Sequence, residues 1–131
     1  MKRTVLIVDD DPAIRDSLST LTSTLGLSAE TFSSAADFLE YAQLETLPEP
    51  ACLIVDVRMP QMSGIELLDR LSGMEMRLPT IMITGHGDAD LKFNAEELGC
   101  TAFLEKPFRP ARLTEVLKSA LDMGDAPNEA V

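Results

Sequence analysis

Short apolar runs alternate with longer amphipathic stretches along almost the whole chain. The runs Val5–Val8, Ala29–Phe32, Cys52–Val55, Thr80–Ile83 and Ala102–Leu104 have strand length and end in polar residues. Between them lie "PAIRDSLSTLTSTLG", "SAADFLEYAQL", "GIELLDRLSG" and "ADLKFNAEELG", and a fifth stretch covers Pro110–Met123. In the first of these, Ile14, Leu18, Leu21 and Leu25 recur on the stripe of an amphipathic helix. Asp11-Pro12 is a helix start, because aspartate caps free amides and proline tolerates the first helical position. Gly26, Gly73 and Gly99 stand where helix C-caps belong. "LPEP" at Leu47–Pro50 is a loop, and the polar end "DAPNEAV" is expected to fray.

Strand-helix alternation predicts a parallel sheet with helices on both faces. Val5–Val8, Cys52–Val55 and Thr80–Ile83 are nearly continuous apolar runs, as strands covered on both sides require. The second run alternates and is weaker, which suits a sheet edge. In open sheets of this kind ligands sit beyond the carboxyl ends of the strands, so the residues that end each strand carry the functional argument.

Those residues are Asp9 and Asp10 after the first strand, Asp56 after the third, Thr84 after the fourth and Lys106 after the fifth. Each alone has an ordinary reading as a turn or solvated residue. Together, three carboxylates, a hydroxyl and an ammonium group at one sheet edge form a constellation. Adjacent carboxylates repel, and one takes up a proton unless a cation lies between them. Mg²⁺ (or Mn²⁺) suits such a site, because it prefers one or two carboxylates with waters and phosphate oxygens. Asp56 is a candidate nucleophile giving an aspartyl phosphate. Thr84 and Lys106 can donate to phosphoryl oxygens, and Lys106 is expected to contact only the finished phosphoryl group. Gly85 leaves room for a phosphodonor.

Composition narrows the classes. At 131 residues the chain is one domain, expected as a unit over 1–123 and a flexible tail over 124–131. With 11 basic and 22 acidic residues its net charge is −11, which argues against direct nucleic-acid binding and against anionic membranes. No apolar stretch approaches a membrane span, and "MKRTVLIVDDD" is too short in its apolar part for a signal peptide. Cys52 and Cys100 are then expected as reduced thiols in a cytoplasmic protein. No His/Cys cluster suggests zinc, and no GxxxxGK[ST] or GxGxxG motif suggests a nucleotide site. His86, the only histidine, is expected as a loop residue at the crevice rim.

The segments "IVDDD", "DVRMPQMSGIELL", "ITGHGD" and "FLEKPF" come in this order, and with them the chain resembles a response regulator receiver domain, the CheY-like unit of two-component signalling. The likeness spans roughly Thr4 to Leu121, and the wording is most similar to the FixJ-type subgroup. The resemblance implies a flavodoxin-like (βα)5 three-layer α/β sandwich with a five-stranded parallel sheet in order 2-1-3-4-5. It implies Asp56 as phosphoacceptor for a sensor histidine kinase, and Asp9, Asp10, Asp56 and the Arg58 backbone carbonyl as metal ligands. Thr84 and Lys106 match the family's switch residues, Phe103 its switch aromatic, and Lys106-Pro107 the family's cis bond. A cis X–Pro bond is a sharp expectation, since only about 5–6% of them are cis in folded proteins. The implied role is a signalling switch rather than an enzyme, acting on output through the fourth helix, fifth strand and fifth helix. Transcriptional regulation is the expected output, and a phosphorylated homodimer would use the same face.

One segment departs from the subgroup. Where FixJ-type relatives are small and apolar after "GHGD", this chain reads "ADLKFNAEELG", with Lys92, Asn94, Glu96 and Glu97. A different partner surface is therefore expected. FixJ-type relatives also continue into a helix-turn-helix domain; none follows here, which leaves a stand-alone receiver and an excised one both open. The rival reading is a haloacid-dehalogenase-like phosphatase, with Asp9 of "VDDDP" as nucleophile and Asp11 as acid/base. The sequence lacks that fold's later acidic pair and cap insertion.

Overall fold

The computed structural model describes residues 3–44, 47–48, 50–74, 78–85 and 89–121. Five strands and five helices alternate: β1 (Thr4–Val8), α1 (Pro12–Thr24), β2 (Ser28–Phe32), α2 (Ala35–Leu44), β3 (Ala51–Asp56), α3 (Gly64–Gly73), β4 (Thr80–Thr84), α4 (Ala89–Glu97), β5 (Ala102–Glu105) and α5 (Pro110–Ala120). The sheet is parallel, in the order β2-β1-β3-β4-β5. This is the architecture the sequence implied, with the weak second strand at an edge.

Strand periodicity divides the core in two. Val5, Ile7, Cys52, Ile54, Ile81 and Ile83 point to one face, where Leu18 of α1 and Leu113, Val116 and Leu117 of α5 cover them. Leu6, Val8, Leu53, Val55 and Met82 point to the other, against Phe38 and Leu39 of α2, Leu67 and Leu71 of α3, and Ala95 of α4. The runs read as continuously apolar because both faces are buried. Burying such side chains contributes about 1.5–3 kcal/mol each relative to exposure. β2 has no such double cover; Phe32 ties it to α2 through an edge contact with Phe38 (ring centroids 5.2 Å apart) and a tilted contact with Tyr41 (5.0 Å).

Local chemistry sets the helix ends. Asp11 caps α1 by accepting from the Ala13 amide at 2.9 Å, and Pro12 opens the helix. Gly26 (φ +78°) and Gly99 (φ +91°) take the left-handed conformation just beyond α1 and α4. Gly73 does not; it is the last residue of α3, and Met74 takes the cap. Ser63 and Glu66 start α3 as a reciprocal capping box, at 3.1 Å (Glu66 amide to Ser63 hydroxyl) and 2.9 Å (Ser63 amide to Glu66 carboxylate). The S-x-x-E spacing that encodes it stands in the sequence as Ser63 and Glu66.

Candidate functional site

Strand register assembles the site. Val8 lies beside Val55, so Asp9 and Asp56 leave adjacent strands together. Asp56 pairs with Ile83 and Thr84 with Glu105, so Thr84 and Lys106 follow one step further along the same edge. Backbone bonds continue the ladder past the strands: the Asp9 amide donates to Phe32 O (3.2 Å), Val57 to Ile83 O (2.8 Å) and Lys106 to Thr84 O (2.7 Å). All five strand-end residues singled out from the sequence therefore lie at one sheet edge.

Carboxylate oxygens of Asp9, Asp10 and Asp56 all lie within 4.8 Å of one another. Asp9 is 2% exposed and Asp56 8%, while Asp10 is exposed. Asp9 Oδ1 accepts from the Asp11 amide at 2.9 Å, and Asp56 Oδ1 accepts from the Arg58 amide at 2.9 Å. Lys106 Nζ stands 3.2 Å from Asp56 Oδ2 and 3.9 Å from Asp9 Oδ2. Burial pushes Asp9 up to about 6. The Asp11 amide opposes that rise, Asp56 and Asp10 add to it, and Lys106 lowers it.

The Lys106 ammonium group thus stands against two of the three clustered carboxylates, Asp56 and Asp9. The donor set is oxygen only, partly buried and short of positive charge, which fits a hard divalent cation such as Mg²⁺ and does not fit zinc or copper. The Arg58 amide bond brings the backbone of residue 58 against the same cluster.

Thr84 is completely buried. Phe103 is half-buried, lies opposite Met82 and packs on the α2–α4 side of the sheet. The Lys106-Pro107 bond is cis. Among the described residues nothing lies within 4 Å of a Cβ added at Gly85, so none of them demands glycine there by crowding. His86 and the 124–131 tail lie outside the described residues.

Three features of the site are corrections or additions to the sequence reading. Lys106 already holds Asp56 without any phosphoryl group, so its contact is not confined to the phosphorylated state. Gly64 brings the start of α3 against β3: its amide donates to Val57 O at 2.9 Å, and a Cβ there would stand 2.5 Å from the Asp56 carbonyl oxygen. Arg15 Nη1 donates to the Asp9 carbonyl oxygen at 2.6 Å. The glycine lies inside a quoted motif, but its clash is a tertiary distance; nothing in the sequence marks Arg15 beyond its place on α1. The phosphatase reading loses its acid/base, since Asp11 accepts from the Ala13 amide as a helix cap. Thiol chemistry has no place here: Cys52 is buried and pushed up to about 12.

The sequence profile of the response regulator receiver domain matches residues 5–118. The chain is 40% identical to the transcriptional regulatory protein FixJ of Bradyrhizobium diazoefficiens over 131 residues, covering 97% of this chain and 62% of that protein. It is 40% identical to the response regulator protein TodT of Pseudomonas putida, covering 91% of this chain and 51% of that protein. The chain therefore spans about half to three fifths of these curated relatives. Among solved structures, the crystal structure of FixJ-N superposes with a TM-score of 0.84 at 36% identity, covering 93% of this chain and 95% of that one. A CheY-like receiver from Methanospirillum hungatei superposes with a TM-score of 0.85 at 28% identity, covering 98% of this chain and 100% of that one.

Proposed function

The chain belongs to the response regulator receiver domain family, and on that premise we propose that Asp56 accepts a phosphoryl group from a sensor histidine kinase. The observation that carries this reading is the convergence of Asp9, Asp10, Asp56 and Lys106 at the carboxyl edge of the sheet, with Lys106 3.2 Å from the acceptor carboxylate.

An Asp56 carboxylate oxygen attacks the phosphorus of the kinase's phosphohistidine. The new P–O bond forms as the P–N bond breaks, and the imidazole nitrogen leaves with the electron pair and takes a proton. The Arg58 amide fixes the rotamer of the attacking carboxylate. Asp9, Asp10, Asp56 and the Arg58 carbonyl would hold Mg²⁺ (or Mn²⁺), which when bound neutralises charge on the phosphoryl oxygens. Lys106 passes from Asp56 to a phosphoryl oxygen, and Thr84 donates its hydroxyl to another.

The switch follows from those two contacts. Thr84 moves toward the phosphoryl group and Phe103 turns inward, so α4, β5 and α5 change their binding preference. α4 presents a charged surface with Phe93 61% exposed, which supports an output contact unlike that of a small apolar helix. The proposed output is transcriptional regulation, as the names of FixJ and its relatives suggest, with homodimerisation through the same face upon phosphorylation. The unit is taken as 1–123 followed by a tail, acting in the cytoplasm. No described helix is long and apolar enough to cross a membrane.

Incubation with a small-molecule phosphodonor, with and without Mg²⁺, followed by mapping of the modified residue, tests the assignment. Label on Asp56 that requires Mg²⁺ and vanishes in Asp56→Asn is the expected result. Label on Asp9, or equal labelling of Asp56→Asn, overturns it.

A further inference from the structure

In a chain with 22 acidic residues and 11 basic ones, a half-buried guanidinium would be expected to face a carboxylate. Arg15 does not. Among the described residues it forms no ion pair, and its Nη1 instead donates to the backbone carbonyl of Asp9 at 2.6 Å. A charged donor on a neutral carbonyl gives a short, strong bond, here between the body of α1 and the turn that carries the acidic pair.

That turn needs a restraint. The three carboxylates repel one another, and Lys106 offsets part of that repulsion through Asp56 and Asp9. The cheapest relief is for the β1–α1 turn to swing its aspartates outward. The Asp9 amide is fixed to Phe32 O on the strand side, and Asp9 Oδ1 is fixed to the Asp11 amide within the turn. Neither bond ties the turn to the helix body beyond its cap. The Arg15 bond does, and it acts on the residue that is most buried in the cluster.

We propose that Arg15 is a positioning residue: by holding the Asp9 carbonyl it keeps Asp9 and Asp10 aimed at the cation site and so sets metal affinity. The inference rests on reading the acidic cluster as that site. It predicts a sign opposite to that of simple electrostatics. Loss of a positive charge near a cation site tightens binding, whereas loss of a positioning bond weakens it. Removing an outer partner that orients ligands typically costs about ten- to a hundredfold in metal affinity.

The test is calorimetric titration of the metal-free protein with MgCl₂, for wild type, Arg15→Met and Arg15→Lys. Methionine keeps the apolar stem and removes charge and donors; lysine restores a charged donor of different reach. Methionine should weaken affinity about tenfold or more, with lysine between the two. The rise in melting temperature on adding Mg²⁺ should shrink in Arg15→Met, which a purely structural role would not cause, since it lowers both melting temperatures alike. Equal or tighter binding by Arg15→Met overturns the inference. If that variant does not fold, unchanged affinity in Arg15→Lys overturns it and a several-fold loss supports it. Failure of the wild type to bind Mg²⁺ overturns the metal-site reading itself and is read separately.

Discussion

Lys106 Nζ lies 3.2 Å from Asp56 Oδ2, so the ammonium group and the candidate phosphoacceptor are partners before any phosphoryl group arrives. The same nitrogen is 3.9 Å from Asp9 Oδ2. The lysine therefore has two tasks. In the resting protein it compensates part of the charge of the acidic cluster. In the proposed transfer it would exchange Asp56 for a phosphoryl oxygen, and its coupling to the proposed switch would depend on the difference between those contacts.

Lys106→Ala should accordingly lower the stability of the metal-free protein. A hydrogen bond to a charged group contributes about 1.5–3 kcal/mol, and its loss leaves Asp56 and Asp9 facing each other uncompensated. Mg²⁺ should recover much of the loss. Phosphorylation should still occur, but the response of Phe103 and of α5 should diminish. Urea titrations in a chelator and in Mg²⁺, with NMR shifts before and after phosphorylation, read these effects. A metal-free Lys106→Ala protein as stable as wild type, or a full wild-type response at Phe103, counts against this account.

Asp9 gives a pH dependence with a definite sign. Its carboxyl is raised by burial from 3.8 to about 6, so between those values the folded state holds a proton that the unfolded chain has released. Stability of the metal-free protein should fall as pH rises through that window and level off above it. The displacement from 3.8 to about 6 corresponds to a cost on the order of 3 kcal/mol at neutral pH. Asp9→Asn keeps an acceptor for the Asp11 amide and removes the charge. It should raise metal-free stability near pH 7.5, have a clearly smaller effect near pH 4.5, and abolish most Mg²⁺ binding. A stability gain equal at both pH values would show that the repulsion is not the cause.

The fold was legible because both faces of the sheet are covered. Val5–Val8, Cys52–Val55 and Thr80–Ile83 had to be continuous apolar runs, and their alternation with helices predicts a parallel sheet covered on both faces, whereas the strand order is implied only by the resemblance to receiver domains. The candidate site was legible for a related reason: each of its residues ends a strand, and parallel register brings strand ends together. What escaped were distances set by packing. The Lys106–Asp56 contact, the Arg15–Asp9 bond and the approach of Gly64 to Asp56 each join segments whose separation no local pattern encodes. The exposed Phe93 belongs to the same group. The polar wording of α4 suggested a different surface, but not which apolar residue it would leave uncovered.

Gly64 and Gly73 open and close the same helix, and alanine at the two positions should act in opposite directions. At Gly64 the added Cβ would stand 2.5 Å from the Asp56 carbonyl oxygen and 3.0 Å from Val57 Cα, both backbone atoms at the end of a central strand. Neither can swing aside as a side chain would, so α3 must lift or the end of β3 must shift. Overpacking of this kind costs about 1–3 kcal/mol, more than the ~1 kcal/mol that alanine gains over glycine in a helix. The shift also displaces Asp56, so phosphodonor labelling should slow. At Gly73 nothing among the described residues lies within 4 Å of the added Cβ, and helix propensity is the effect expected there. Gly73→Ala should therefore stabilise the protein by up to about 1 kcal/mol with unchanged labelling. Urea denaturation and labelling rates of the two variants give the comparison. If Gly64→Ala were as stable and as readily labelled as Gly73→Ala, the close approach of α3 to Asp56 would not be the reason glycine stands there.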